Sequence, residues 1–356
     1  MSNQKKKAIV GLSGGVDSSV AAALLLREGF EVVGAFMKNW SDGVAGQMCS
    51  WRWEYADAQA VAEKLGIPLL LLDYEEDYRR DVYAYMLAEY RAGRTPNPDV
   101  LCNEKVKFGP FLRRALEEGA DVVATGHYAQ VREKAGSQQL LAGIDSNKDQ
   151  SYFLHRLSQE QLRHVAFPVG ELKKSEVRDI ARQLGLPVAE KKDSVGICFI
   201  GEKNMAEFLA RDIPGRPGPI VSTEGRVVGR HSSVVPFTIG QRHGMNITDG
   251  QPYFVVGKDM ARNTLIVARG EDPAELYSRE LAAEDIHWIS GEPPQLPLRC
   301  RARVRYRQPL QDCEVRPDHT VVFDQPQRAI APGQFVVFYD GEVCLGGGII
   351  KNTSDS

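Results

Sequence analysis

The stretch Lys7-Ala8-Ile9-Val10-Gly11-Leu12-Ser13-Gly14-Gly15-Val16-Asp17-Ser18-Ser19, running into Val20-Ala21-Ala22-Ala23-Leu24-Leu25-Leu26, decides how the chain is read. Its β-branched opening reads as a buried strand and its Ala/Leu close as a helix of good intrinsic propensity. Between them, Ser13-Gly14-Gly15 permits a tight turn and close approach of a ligand to the backbone. Ser18 and Ser19 fall at the helix N-terminus, where unpaired N–H groups and the macrodipole favour an anion. The stretch reads as a phosphate cradle. The competing reading is an ordinary Gly/Ser-rich turn from strand to helix.

A Walker loop would end in Gly-Lys-Ser/Thr and the dinucleotide fingerprint needs G-x-G-x-x-G; neither is present. Ser-Gly-Gly-x-Asp-Ser after a strand instead resembles the pyrophosphate (PP) loop of the ATP pyrophosphatase superfamily. Those enzymes cut ATP between its α and β phosphates and leave AMP on a substrate oxygen. An acidic residue suits such a loop, because Asp17 can hold Mg²⁺ against the departing pyrophosphate.

With 356 residues the chain is long enough for two or three domains with buried cores. An apolar share of 43% beside 26% charged residues is that of a soluble globular protein. No apolar run has the length of a membrane span, and Met1 to Lys7 lacks the character of a signal or transit peptide, so a cytoplasmic enzyme with no membrane partner is expected. The six cysteines are scattered with no C-x-x-C, which argues against structural zinc and iron–sulfur sites. A net charge of −3 does not recommend nucleic acid, so any basic surface must be local.

Further strands are expected over residues 31–37, 67–72 and 121–125, the second of them buried on both faces. Helices are expected over 55–65, 77–91, 105–118 and 173–184. Alternation of this kind gives a doubly wound parallel sheet with ligands beyond the strand carboxyl ends. The PP loop, Met37 and Gly126-His127 converge there. Met37 reads as an adenine neighbour or equally as a plain core methionine. Residues 147–152 read as a helix cap or a ligand loop. After the rigid linker 213–219, short β-branched runs separated by turns indicate two small all-β modules, the last a β-barrel. The domains are expected at 1–205, 206–272 and 273–356. In 298–308, Arg299, Arg301, Arg303, Arg305 and Arg307 take alternate positions, which would put all five guanidinium groups on one strand face. With no acid intervening, a nucleic-acid backbone is their expected partner over a merely solvated face.

Two cysteines lie in suggestive settings. Cys102 follows a Pro-rich loop with Asp99 three residues before it and a lysine-bearing helix start after it; Cys198 follows Lys191-Lys192. Either alone reads as structural, but as a pair around an adenylating site they suggest sulfur chemistry.

Taken together, Gly93-Arg94-Thr95-Pro96-Asn97-Pro98-Asp99 with Cys102-Asn103, Ala124-Thr125-Gly126-His127-Tyr128, Asp145 to Phe153, Gly196-Ile197-Cys198-Phe199-Ile200-Gly201, Arg305-Tyr306-Arg307-Gln308 and Gly341 to Gly348 extend the resemblance along nearly the whole chain. The sequence resembles the bacterial tRNA-specific 2-thiouridylase family, which implies an adenine nucleotide hydrolase-like catalytic domain and 2-thiolation of the wobble uridine in tRNA. The resemblance implies ATP at Gly11, Leu12, Ser13, Gly14, Gly15, Val16, Asp17, Ser18, Met37 and Gly126, adenylating the uracil C2 oxygen. It implies Cys198 as the residue that receives persulfide sulfur from a relay protein, and Cys102 as the second catalytic cysteine, closing a disulfide with Cys198 after transfer. Asp99 would act as general acid/base, and Asn97, Pro98 and Asp99 would hold the flipped uridine. Lys148, Asp149, Gln150, Arg305 and Tyr306 would contact tRNA of the glutamate, glutamine and lysine types, with His127 and Gln334 near the anticodon. Two departures stand out: His243 where the family usually has lysine, and Val195 where it commonly has threonine. The rival readings are a PP-loop amide-forming ligase without a cysteine pair, and a non-catalytic RNA-binding protein that senses ATP.

Overall fold

The computed structural model describes residues 5–41, 50–193 and 205–353. Five parallel strands form the first sheet: β1 (Lys7–Gly11), β2 (Glu31–Lys38), β3 (Leu69–Asp73), β4 (Val122–Ala124) and β7 (Val165–Ala166). Their order is β3-β2-β1-β4-β7, so the chain winds outward from β1 in both directions and reverses between β1 and β4. That reversal is where an open parallel sheet binds its ligand.

Strand β1 is apolar on both faces because both are covered. Ala8 and Val10 pack under helix α1 (Val16–Arg27), and Ile9 packs toward the opposite core. Helix α1 is itself buried on most of its surface, lying between the sheet and the amphipathic helix Lys174–Gln183. The expected two-sided burial of the third strand is corrected: β3 is the sheet's edge, with Leu71 exposed. A leucine run does not distinguish a central strand from an edge one.

Helix α2 (Ser50–Leu65) and the helical run Glu75–Arg91, with a π-helical turn at Arg79–Tyr83, cover the sheet. The helix expected from residue 105 begins earlier, at Pro98, and passes through a π-helical stretch, Asn103–Phe111, before Leu112–Glu117. Pro98 starts a helix instead of breaking one because it sits at the first helical position, where its missing N–H has no helical partner to lose.

The sequence reading did not foresee a hairpin of β5 (Ala129–Lys134) and β6 (Ser137–Ala142), turned by Ala135 and Gly136 at positive φ. It sits in the catalytic domain but pairs with the last strand of the chain. The central module is a four-stranded sheet of β8 (Gly218–Ser222), β9 (Val227–His231), β10 (Tyr253–Asp259) and β11 (Thr264–Arg269). The last module is a closed barrel of β12 (Tyr277–Trp288), β13 (Leu298–Arg303), β14 (Gln311–Val315), β15 (Thr320–Arg328), β16 (Phe335–Asp340) and β17 (Val343–Thr353). The order is β12-β15-β14-β13-β16-β17, and β17 pairs back to β12. β6 joins this sheet through Cys344↔Leu140 and Val343↔Leu141, so the barrel and the catalytic domain share a ladder.

The β17 glycines make this junction possible. A Cβ on Gly347 would lie 2.4 Å from the Val336 carbonyl and 2.8 Å from the ring of His155, a catalytic-domain residue. Gly347→Ala is therefore expected to lower the unfolding free energy by about 2 kcal/mol, the cost of overpacking a close-packed contact. Urea denaturation followed by circular dichroism checks this, and a neutral result would show that the barrel and domain are not tightly apposed here.

Candidate functional site

At the β1/β4 reversal the loop after β1 is organised by its own hydroxyls. Ser13 N–H donates to Ser18 Oγ (3.2 Å), and the Ser18 and Ser19 hydroxyls donate to the Gly15 carbonyl at 3.1 and 2.7 Å. Gly14 has φ +72°, the left-handed region that glycine enters without strain. Gly15 is the N-cap and no side chain caps the helix, so the donors of the first turn of α1 remain for an anion. Gly126, after β4, closes the other side: a Cβ there would lie 2.5 Å from the Ser18 nitrogen and 2.6 Å from the Asp17 carbonyl carbon. Met37 is buried, with its Cε beside Gly11. The structure thus brings together the residues from 11 to 18, Met37 and Gly126.

Cations gather around this loop from segments far away in sequence. Lys174 Nζ lies 2.7 Å from Asp17 Oδ1 and 2.8 Å from Asp193 Oδ1. Lys148 and Arg178 also hold Asp193, at 2.6 and 2.9 Å. Lys191 Nζ donates to the Gly14 carbonyl (2.9 Å) and pairs with Asp57 (2.6 Å). Partial burial works against the Asp193 charge, but hydrogen bonds from Lys148 and Lys174 outweigh it and draw its carboxyl down to about 2. The Tyr128 hydroxyl donates to Asp17 (2.7 Å). A polyphosphate fits this frame: open helix donors, a left-handed glycine and adjacent lysines. Mg²⁺ fits through Asp17, whose carboxylate now rests on Lys174 and Tyr128 and would exchange the lysine for the metal. Among the described residues no group of three His, Cys, Asp or Glu side chains forms a protein-only metal cage. Sequence reasoning missed Lys174, Arg178 and Asp193 because their roles depend on tertiary approach; the basic run Lys191-Lys192 was the only signal.

The second half of the site is the short helix Pro98–Cys102. Asp99 and Cys102 are three residues apart on it and so share a face. Cys102 is fully buried. The expectation that it precedes a helix start is corrected, because it lies within a helix that has already begun. Asn103 is buried and its amide donates to the Phe153 carbonyl (3.3 Å). The ring of Phe153 packs on Tyr306 from the barrel, with centroids 4.5 Å apart. The preceding residues are held by both β modules. Gly93 packs against Met260, Thr95 Oγ1 donates to Thr238 (3.3 Å), and Thr95 N–H donates to the Pro332 carbonyl (2.8 Å). Gln334 donates to the carbonyls of Thr95 and Pro96 at 2.9 and 3.2 Å and accepts from Asn97 (3.4 Å). Cys198 and Val195 lie outside the described residues.

The expected RNA contacts divide into two groups. Lys148 and Gln150 sit on the loop before Ser151, where the Tyr306 hydroxyl donates to the Lys148 carbonyl (3.4 Å). Arg305 and Tyr306 lie beyond the end of β13. Asp149, however, is 3% exposed. Its Oδ1 accepts from the N–H groups of Gly143 (3.1 Å) and Ser151 (3.0 Å), while its Oδ2 lies 3.3 Å from the Arg303 guanidinium without hydrogen-bond alignment. Its side chain holds the loop together. His127 is likewise buried, bonded to Thr125 Oγ1 (2.7 Å) and packed between Phe108 and Phe167. Burial, with Lys107 adding to it, keeps its imidazole well below 6.5 and neutral.

The single-faced arginine strand is also corrected. β13 ends at Arg303, and Arg307 adopts φ +65° in the turn that follows. Acids do intervene: Arg299 makes a bidentate pair with Asp324 (2.9 and 2.8 Å), and Arg303 is buried against Asp149. Arg301, Arg305 and Arg307 are exposed and make no ion pair among the described residues. Strand period alone could not show which cations a neighbouring strand would neutralise.

A family model for the tRNA methyl transferase HUP domain matches residues 6–202, one for the tRNA methyl transferase PRC-barrel domain matches 206–269, and one for the aminomethyltransferase β-barrel domain matches 278–350. The chain is 51% identical to the "tRNA-specific 2-thiouridylase MnmA" of Pseudomonas aeruginosa, covering 98% of this chain and 95% of that one. It is 53% identical to the protein of the same name from Methylobacillus flagellatus, covering 98% and 99%. Among solved structures, a 4-thiouridine synthetase in complex with RNA and ATP matches 59% of this chain and 50% of that chain, at 19% identity and a TM-score of 0.33.

Three outcomes test this geometry. Gly126→Ala drives a methyl into the α1 N-terminus, so ATP affinity in a calorimetric titration is expected to fall at least tenfold while the melting temperature shifts by only a few degrees; unchanged affinity would place the nucleotide elsewhere. Arg303→Ala leaves Asp149 buried without its cation and is expected to cost about 3 kcal/mol of stability. Arg305→Ala with Arg307→Ala should instead leave stability intact and reduce the salt slope of tRNA binding by about 1.5, from two lost phosphate contacts. An unaltered slope would remove these two arginines from the RNA surface.

Proposed function

The chain belongs to the tRNA-specific 2-thiouridylase family, and from that premise we propose that it activates the wobble uridine (U34) of tRNA anticodons with ATP and exchanges its C2 oxygen for sulfur. It is a tRNA sulfurtransferase that uses ATP; neither an amide-forming ligase nor a non-catalytic ATP sensor is favoured. The observation that carries the reading is the junction at 93–98. There the segment leading to Asn97, Asp99 and Cys102 is held by the central module and by barrel residues Pro332 and Gln334.

In this reading the α1 N-terminus binds the ATP phosphates and Met37 packs against the adenine. The uracil O2 attacks the α-phosphorus: the O2–P bond forms and the bond to the β-phosphate oxygen breaks, releasing pyrophosphate. A C2 substituent that left poorly as oxide now leaves as AMP. Asp99, on the Cys102 face of the helix, takes and returns the uracil N3 proton. The terminal sulfur of a persulfide on Cys198 attacks C2, forming C–S as C–O breaks and AMP departs. The Cys102 thiolate then attacks the Cys198 sulfur, the thiocarbonyl is released, and the Cys102–Cys198 disulfide that remains is reduced by a dithiol. Burial of Cys102 suits this order, since a thiol shielded from solvent is not spent on adventitious oxidants. Magnesium held through Asp17 would neutralise charge on the pyrophosphate.

Asn97, Pro98 and Asp99 support the extruded base, and Arg305 and Tyr306 contact the RNA beside Lys148, Gln150 and Gln334, whose side chains are also engaged by Asp193, by the Tyr128 N–H and by the carbonyls of Thr95 and Pro96. The burial of Asp149 and His127 argues for indirect roles: Asp149 shapes the 147–151 loop and His127 supports the Gly126 turn. The substrates are glutamate-, glutamine- and lysine-type tRNAs, a persulfide relay protein supplies the sulfur, and the reaction belongs to the cytoplasm. Among the described residues no helix is long and apolar enough to cross a membrane.

The test is sulfur incorporation into unmodified glutamate tRNA with ATP, Mg²⁺ and a sulfide donor, resolved on a mercury-containing gel that retards thiolated RNA. An ATP-dependent retarded band is expected, falling at least a hundredfold in Cys102→Ser and in Cys198→Ser. AMP formation without a band would mean that the acceptor is a different nucleophile.

A further inference from the structure

Three cations converge on one carboxylate beside the PP loop, and one of them is shared with that loop. Lys174 Nζ contacts Asp17 of α1 and Asp193 at 2.7 and 2.8 Å, so the two carboxylates lie on one ammonium group. Lys148 and Arg178 complete the ring around Asp193. Lys174 is largely enclosed, with a side-chain exposure of 13%, which weakens screening of its charge. A site that must attract a polyphosphate gains nothing from a second fixed carboxylate unless that carboxylate acts on the cations themselves.

We propose that Asp193 is a positioning residue that serves as a built-in substitute for phosphate: it holds Lys174 in the PP-loop site when no polyphosphate is bound and competes with pyrophosphate for it afterwards. The inference rests on the reading of residues 11–18 as the ATP loop. Before nucleotide binds, an enclosed lysine with its cationic neighbours would repel and splay; Asp193, together with Asp17, keeps Lys174 within reach of the α1 N-terminus at the cost of occupying it. When polyphosphate arrives, Lys174 exchanges one anion for another, and Asp193 stays satisfied by Lys148 and Arg178. When the bond to the α-phosphate has broken, return of Lys174 to Asp193 lowers the affinity for pyrophosphate and assists its departure. Nothing is oxidised or reduced, and no proton need move, because Asp193 stays ionised throughout.

The sign of the effect separates this role from a structural one. An ordinary supporting residue loosens its site when it is neutralised, whereas an internal competitor tightens it. In titrations of inorganic pyrophosphate with excess magnesium, Asp193→Asn is expected to bind about tenfold more tightly than wild type, the scale of one competing charge-assisted contact. Lys174→Ala should bind at least tenfold more weakly, and Asp193→Glu, which keeps the anion, should stay within about threefold of wild type. In turnover, Asp193→Asn should lower KM for ATP and kcat together, because product is retained. Asp193→Ser repeats the test with a smaller uncharged side chain. Unchanged or weaker pyrophosphate binding in folded Asp193→Asn or Asp193→Ser would overturn the proposal, as would loss of folding in both while Asp193→Glu folds. If wild type bound neither pyrophosphate nor an ATP analogue, the loop reading itself would fall, a result distinct from wild-type binding that Asp193→Asn leaves untightened.

Discussion

The buried contact between Asp149 and Arg303 is the constraint on which the arrangement of the molecule depends. Asp149 comes from the catalytic domain and Arg303 from the barrel, and both are nearly excluded from solvent. Two backbone N–H groups fix one carboxylate oxygen, and the guanidinium also lies over the ring of Tyr339, 4.8 Å from its centroid. The Tyr339 hydroxyl in turn bonds Ser151 Oγ at 3.1 Å, and Tyr152 donates to the Phe335 carbonyl at 3.0 Å. Charges so deeply buried are tolerated only when each answers the other, so the pair specifies one seating of the barrel more than it adds stability. That seating brings Tyr306 to Phe153 and Gln334 to Asn97.

The same economy governs the nucleotide side. The parallel sheet supplies a reversal point and two glycine-bearing loops, but few charges of its own. The cations come from Lys148, Lys174, Arg178 and Lys191, which neighbour one another only after folding. Carboxylates at Asp17, Asp57 and Asp193 neutralise most of that charge. The site therefore carries enough positive potential to receive a polyphosphate without the self-repulsion that an unpaired cluster would cost.

The sequence showed most clearly those parts whose meaning is local. The PP loop can be read because strand, Ser-Gly-Gly turn and helix are contiguous, and the α/β alternation shows a parallel sheet covered on both sides, though neither its strand order nor its short fifth strand, Val165–Ala166. The six-stranded barrel could be expected as a β module but not closed on paper, since closure lies in the β12–β17 pairing, which no short window contains. The hairpin of β5 and β6 went unread because its alternation is weak, with Arg132, Glu133 and Lys134 in one strand and Gln138 and Gln139 in the other. The arginine row was correctly seen as unusual and wrongly seen as uniform. Which guanidinium groups are neutralised is decided by Asp324 and Asp149, far away in sequence. Cys102 stands out by its neighbours, whereas its shared helix face with Asp99 follows from a helix start at Pro98 that the prolines conceal.

A thiolation site must solve a problem of proximity that neither half can solve alone. In the proposed function the bond to the α-phosphate is made at the sheet's carboxyl edge, whereas the RNA is gripped by modules that fold from the far end of the chain. Tethering by a linker would leave these two events to chance encounter; a shared framework converts them into one oriented reaction, the source of the largest entropic gains in catalysis. The protein builds that framework from backbone and buried side chains together. The ladder from β6 into β17 and the carbonyls of Thr95, Pro96 and Pro332 reinforce the seating that the Asp149–Arg303 pair specifies. Backbone contacts survive most substitutions, so the seating they share in does not depend on every side chain along the junction.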